Sequence, residues 1–281
     1  MTSETRAGSR TLAGTLKVNG AELYHQLRGS GPALLMIHGT GADSGCCEEV
    51  ARLLAADFRI LTYDRRGWSR SPRPSGWMKT SIDEQADDAA WLLRATGNAP
   101  AVVFGSSSGG LIALDLALRH PDVVAGEVLH EPSLFTCLSQ DFVQQQFAEL
   151  NSVLEQALAR GGPGAALEML HRAWAGDDDV EALNPALRER WLSNADLMFG
   201  YEFPDMLLGF QPEPAAIAAL NVTVKVMRAS ESMPINAAAA EWLASQLQTE
   251  LVCAPGAHLA YCTRPREFAK VLRRLLKAVA N

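Results

Sequence analysis

Ser106, Ser107 and Ser108 lie in VVFGSSSGGLIALDLAL, residues 102–118, between a β-rich apolar run and an Ala/Leu-rich run of helical character. A nucleophile at the tip of a strand needs a very tight strand-to-helix turn, with small residues two places to either side so that the backbone can pass. Ser107 alone has glycine at both places, Gly105 and Gly109, whereas Ser108 would have Ser106 and Gly110. The five-residue pattern is weak by itself and gains specificity from its strand-turn-helix setting; the bland reading is a glycine-rich turn without chemistry.

A serine hydroxyl requires a base. His258, in LVCAPGAHLAYCTRP, follows the last apolar strand and precedes the closing helix, where a side chain can return to the strand tips. His25, His120 and His171 have no comparable placement and read as surface or packing residues. Attack on a carbonyl also develops a negative oxygen that needs fixed N–H donors. The turn in LLMIHGTGAD offers the backbone N–H of Thr40, which with that of Ser108 would form an oxyanion hole; Gly39 and Gly41 shape the turn, and His38 hydrogen-bonds within it.

The elements that must position these groups are legible as eight strands: GTLKVN, ELYHQLRG, ALLMIHG, FRILTYD, AVVFGS, VAGEVLHE, VTVKVMRA and ELVCAPG. Their alternation with helical patterns predicts an α/β fold with a mainly parallel sheet covered on both faces. Asn19-Gly20 between the first two strands signals a hairpin, hence an antiparallel edge. Ser81 with Glu84 three residues on predicts a capping box for SIDEQADDAAWLLRATG, and EFAKVLRRLLKAVA predicts an amphipathic closing helix. The alternation breaks over residues 133–217, which reads as an inserted helical cap on a core of 1–132 and 218–281. Within it AGDDDVEALNP reads as a solvated loop, with metal binding by Asp177, Asp178 and Asp179 a remote alternative.

Composition limits the function classes. A chain of 281 residues with 48% hydrophobic and 20% charged residues suits a globular enzyme, and its apolar runs are too short to span a bilayer. A net charge of −7 with scattered basic residues argues against nucleic acid as a partner. The start, MTSETRAGSRTLAG, lacks an apolar export segment and reads as a short mobile tail. Five cysteines without metal-type spacing suit reduced thiols in the cytoplasm, with adjacent Cys46 and Cys47 read as buried and inert on a helix. Oligomeric state stays open, a homodimer included.

Together, HGTG after the third strand, YDRRGWSRS after the fourth, GSSSG after the fifth and GAHLAY after the eighth resemble the α/β-hydrolase superfamily over nearly the whole chain. The resemblance implies a Ser-acid-His triad, a structural loop near the pocket mouth built by Asp64, Arg65 and Gly67, and Trp68 as a candidate lining residue of the site. Most members carry the acid after the seventh strand in a G-x-x-D pattern; here RASESMP puts Ala229 and Ser232 at those positions. Some members place a carboxylate after the sixth strand instead, and Glu131 in EVLHEPSL stands there; it is favoured over Glu231. The pair His130-Glu131 is similar to that of zearalenone-type lactone hydrolases. Haloalkane dehalogenases also use a glutamate at this point, but their nucleophile is aspartate, which Ser107 is not.

The expected activity is cleavage of a carboxylic ester or lactone of a medium-sized apolar substrate through an acyl-enzyme, with no cofactor or metal required. Candidate substrate contacts are Gly39, Gly41 and Ser106 at the turns. From the cap they are Phe135, Trp174, Trp191, Met198 and Tyr201, with Phe199 and Phe203 beside them; each could equally form the cap's own core. Carbon-carbon bond hydrolysis or cyclisation on the same residues, and a ligand receptor with negligible turnover, remain alternatives.

Overall fold

In a computed structural model describing residues 11–203 and 206–280, the eight strands form one sheet in the order β1-β2-β4-β3-β5-β6-β7-β8. β1 (Leu12–Val18) and β2 (Ala21–Arg28) make the antiparallel edge. They turn through Asn19 and Gly20, both at positive φ (47° and 75°), as a two-residue hairpin requires. β2 also pairs antiparallel with β4 (Arg59–Tyr63). The remaining neighbours are parallel: β3 (Ala33–Ile37), β5 (Ala101–Ser106), β6 (Val124–His130), β7 (Val224–Ala229) and β8 (Leu251–Ala254). Residues 1–10 of the expected tail lie outside the described residues; Leu12, Ala13 and Gly14, also counted in that tail, are already strand.

The near-continuous apolar character of β3, β5 and β6 follows from burial on both faces. α2 (Ile82–Ala95), α3 (Ser108–Arg119) and α10 (Pro234–Gln246) pack on one face around Leu35, Val103 and Leu129. α1 (Glu48–Leu54), the short α11 (Ala260–Thr263) and α12 (Pro265–Val279) cover the other around Met36, Phe104 and Val128. α12 buries Phe268, Leu272, Leu275, Leu276 and Val279, the helical spacing read from its sequence. Only half of the expected capping box forms on α2. Ser81 accepts from the Glu84 N–H at 3.2 Å, but the Glu84 carboxylate accepts instead from Arg66 and the Trp77 indole. Cys46 and Cys47 are free, buried thiols in a 3-10 turn, Ser44–Cys47.

Between β6 and β7 the chain is helical. α4 (Gln140–Ala175) breaks at Gly162-Pro163, where Gly162 takes φ 71°, and α5 (Asp177–Glu181), α6 (Pro185–Leu192) and α7 (Ala195–Leu197) follow. A π-helical turn, Met198–Glu202, precedes α8 (Met206–Gly209) and α9 (Pro214–Ala218). The stretch expected as a solvated loop thus contains α5. Its three aspartates occupy a helix N-terminus, where negative charge is favourable, and Asp177 and Asp179 are taken by Arg172 and by Thr263 with Arg264. Among the described residues no helix is long and apolar enough to cross a membrane.

One polar group in the sheet works against stability. Glu127 in β6 is fully buried, and neither carboxylate oxygen has a hydrogen-bond partner. Burial pushes its carboxyl well above the ordinary value, so it is held as the neutral acid. The folded protein therefore keeps a proton that the unfolded chain loses as pH rises through the ordinary carboxylate range. Stability falls from there toward the folded pKa, by at most about 1.4 kcal/mol per pH unit. Glu127→Leu is expected to flatten that slope and to raise stability at pH 7.5 by about 1–3 kcal/mol in urea unfolding. Parallel stability-versus-pH curves for the two proteins would refute the assignment.

Candidate active site

The tip of β5 is built by three close approaches. Ser107 adopts φ 58° and ψ −125°, a strained backbone for a residue with a side chain. A Cβ on Gly105 would meet the Gly109 carbonyl oxygen at 2.3 Å, and one on Gly109 would meet that of Ile37 at 2.4 Å. The two glycines of the motif are thus demanded by steric contact. Gly39 is the third: its Cβ would lie 2.8 Å from that of Ser107. The Ser107 hydroxyl shares a 3.0 Å hydrogen bond with that of Ser133, and both residues line one cavity with Thr40 and His258.

Glu131, just past β6 at φ 43°, is fully buried and places Oε2 2.6 Å from His258 Nδ1. Its other oxygen accepts from the Ala229 N–H at 2.9 Å and from the Ser232 hydroxyl. Burial alone would raise this carboxyl. The hydrogen bond and charge of His258, with smaller help from His130 and Ser232, outweigh it and hold the group well below the usual carboxylate range. Glu131 is therefore ionised and fixes the Nδ1–H tautomer, leaving Nε2 as the basic nitrogen. Asn236 Nδ2 lies 3.0 Å from the same Nδ1, and the His258 N–H donates to the Trp174 carbonyl at 3.1 Å. Glu231, the other acid considered, pairs with Arg264 at the surface.

His130 stacks against His258 with ring centroids 6.0 Å apart, and its Nδ1 lies 3.0 Å from the Ser106 hydroxyl. Burial lowers its pKa to about 4, so it packs as a neutral ring.

The loop after β3 is clamped from two sides. Thr40 Oγ1 is 2.9 Å from Ser108 Oγ and donates to Glu202 Oε1 at 2.6 Å. Glu202, at the end of the π-helical turn, is fully buried and receives Arg65 Nη2 on both oxygens at 3.0 Å. The same guanidinium nitrogen donates to the Gly39 carbonyl at 3.3 Å. His38 donates from Nδ1 to that carbonyl at 2.9 Å and accepts the Arg65 N–H on Nε2 at 3.1 Å. Burial and the Arg65 charge lower its pKa to about 3 and keep it neutral for both bonds. His171 donates to the Gly41 carbonyl at 2.8 Å. As the first residue of α3, Ser108 has no acceptor for its N–H within the helix.

The expected contacts separate into two groups. Phe135, Trp174 and Phe203 line the cavity. Trp191 is buried against His171, Met198 packs inside the helical segment with Phe199 beside it, and Tyr201 stacks on Trp77 at 5.4 Å. None of these four lines the cavity. Nor do Gly39 and Gly41, which flank Thr40 in the turn, Ser106, which is buried behind the elbow, or Trp68, which is buried under Arg65 and edge-on to His38. Ser133, Asn236, Ser232 and Glu202 were not singled out from sequence. The one local signal was the hydroxyl of Ser232 where an acid usually stands. Among the described residues no group of three or more His, Cys, Asp or Glu is placed to hold a metal.

Residues 32–168 match the family described as the alpha/beta hydrolase fold. Over 272 residues the chain is 35% identical to the uncharacterized hydrolase YraK of Bacillus subtilis (strain 168), covering 94% of this chain and 96% of that protein. Its fold superposes on a thermophilic esterase from Thermogutta terrifontis with a TM-score of 0.73 at 22% identity, covering 97% of this chain and 100% of that one. An enol-lactonase from Burkholderia xenovorans LB400 gives 0.70 at 20% identity, covering 94% and 100%. A hydrolase relative aligned along almost its whole length, on a sheet of this order, makes the chain a member of the α/β hydrolase family.

Proposed function

We propose that this hydrolase cleaves neutral carboxylic esters or lactones through an acyl-enzyme on Ser107. The observation that carries the reading is the 2.6 Å bond from Glu131 to His258, whose ring lines one cavity with the Ser107 hydroxyl. Ser107 Oγ attacks the carbonyl carbon as His258 Nε2 takes its proton, and Glu131 balances the imidazolium charge. The N–H groups of Thr40 and Ser108 receive the oxyanion. Collapse of the intermediate expels the alcohol, which takes the proton back from His258. Water, deprotonated by the same ring, then attacks the acyl-enzyme, and the acid product and Ser107 are released. The helical segment over 133–217 acts as a cap that supplies much of the apolar wall. Among the described residues no lysine, arginine, aspartate or glutamate lines the cavity, which favours an uncharged substrate.

The test is covalent. A fluorophosphonate ester, which traps activated serines as stable adducts, is expected to label the Ser107 peptide at one per chain and to abolish hydrolysis of p-nitrophenyl butyrate in proportion. Hydrolysis that persists in fully labelled protein, or labelling at another serine, would overturn the proposal.

A further inference from the structure

The cavity that holds Ser107 and His258 is small, about 40 Å³, room for roughly three waters at the 10–15 Å³ each requires. It can hold a reacting carbonyl group and little more. A second cavity of about 280 Å³ shares four of its walls: Phe135, Phe147, Phe203 and Leu207. Beyond them it is bounded by Val143, Gln144, Asn151 and Leu208, without a charged side chain among them. Leu208 is 53% exposed and marks the mouth, while Phe135 and Phe147 meet edge to face at 5.5 Å at the junction. The two chambers adjoin across these four residues, and the outer one reaches the surface beside Leu208.

Position relative to the two chambers separates the two halves of an ester. The leaving oxygen must reach His258 to be protonated, so the alcohol lies on the wall made by Trp174, Met233, Asn236 and His258. None of those four lines the outer chamber. Its shared wall instead includes Phe203, the chain neighbour of Glu202, whose carboxylate accepts from Thr40. The geometry points to the outer chamber as an acyl-chain subsite for an uncharged, unbranched or aryl-tipped acyl group of roughly six to eight carbons. Such a chain fits well within the roughly nineteen to twenty-eight water-sized groups that 280 Å³ admits at the same 10–15 Å³ each. This inference rests on Ser107 being the acylated residue.

The test varies the two sides of the ester separately. The acyl series is p-nitrophenyl acetate, butyrate, hexanoate and octanoate; the alcohol series is the acetates of butanol, hexanol and octanol. A buried methylene is worth about fourfold, so kcat/KM is expected to rise at least tenfold from acetate to hexanoate, with less than threefold change along the alcohol series. Val143→Trp, and Leu208→Trp at the mouth should the first variant fold poorly, are expected to remove at least fivefold of the octanoate rate and to leave the acetate rate within twofold. Cleavage of acetate with no acyl-length dependence, or a gain confined to the alcohol series, overturns the subsite while leaving the serine-hydrolase reading intact. Failure of every ester overturns both.

Discussion

Ser107→Ala is expected to lower kcat on p-nitrophenyl butyrate by about ten-thousand- to a million-fold, the range seen when a nucleophile is removed from a working triad. The substitution keeps the Cβ that abuts Gly39 and loses only the hydroxyl shared with Ser133, so the melting temperature should move by no more than a few degrees. The strained turn stays, because alanine at φ 58° meets the same backbone restriction as serine. Rates from freshly purified protein, with circular dichroism as the folding control, measure this. Activity within tenfold of the parent would remove Ser107 from the chemistry.

Glu131→Gln is expected to cost about a thousand- to ten-thousand-fold in kcat with KM within a few-fold, the signature of a group that acts on the transition state through its partner. The carboxamide can present an N–H to His258 Nδ1, which moves the ring proton to Nε2 and leaves no lone pair there for the Ser107 proton. Glu231→Gln should stay within twofold, since it breaks only a surface pair with Arg264. A large loss in Glu231→Gln and a small one in Glu131→Gln would reverse the assignment. Glu131 is a single anion served by two strands: it leaves the tip of β6 but is bonded by Ala229 and Ser232 at the end of β7. Ser232 thus fills the customary seat of the acid with a hydroxyl that donates to its replacement.

These relations mark how far the sequence reached. The central strands β3, β4, β5 and β6 were legible because their apolar runs are buried on both faces, the more exposed β1 and β2 because a turn signal separates them, and Asn19-Gly20 and G-x-S-x-G each encode a backbone geometry that few residue types tolerate. The contact between Glu131 and His258 was legible because the seventh-strand position offered no carboxylate to meet the ring. The helical segment was not legible residue by residue. Trp191 and Met198 satisfy the same apolar pattern as Trp174 and Phe135, yet the first pair packs inward and the second faces the cavity, a difference that an apolar pattern does not encode. Glu202 gave no sign at all, because its partners Thr40 and Arg65 are 162 and 137 residues away.

The buried carboxylate of Glu202 sets the cost of moving the helices. Swinging the helices off the sheet would pull Glu202 from Arg65 and Thr40 and strand a guanidinium in the protein interior. By the measure of a buried pair that loses one member this costs about 3–5 kcal/mol, so an opened form would be populated below about one per cent. The helices are therefore pinned to the sheet from beneath, by a pair that solvent does not reach.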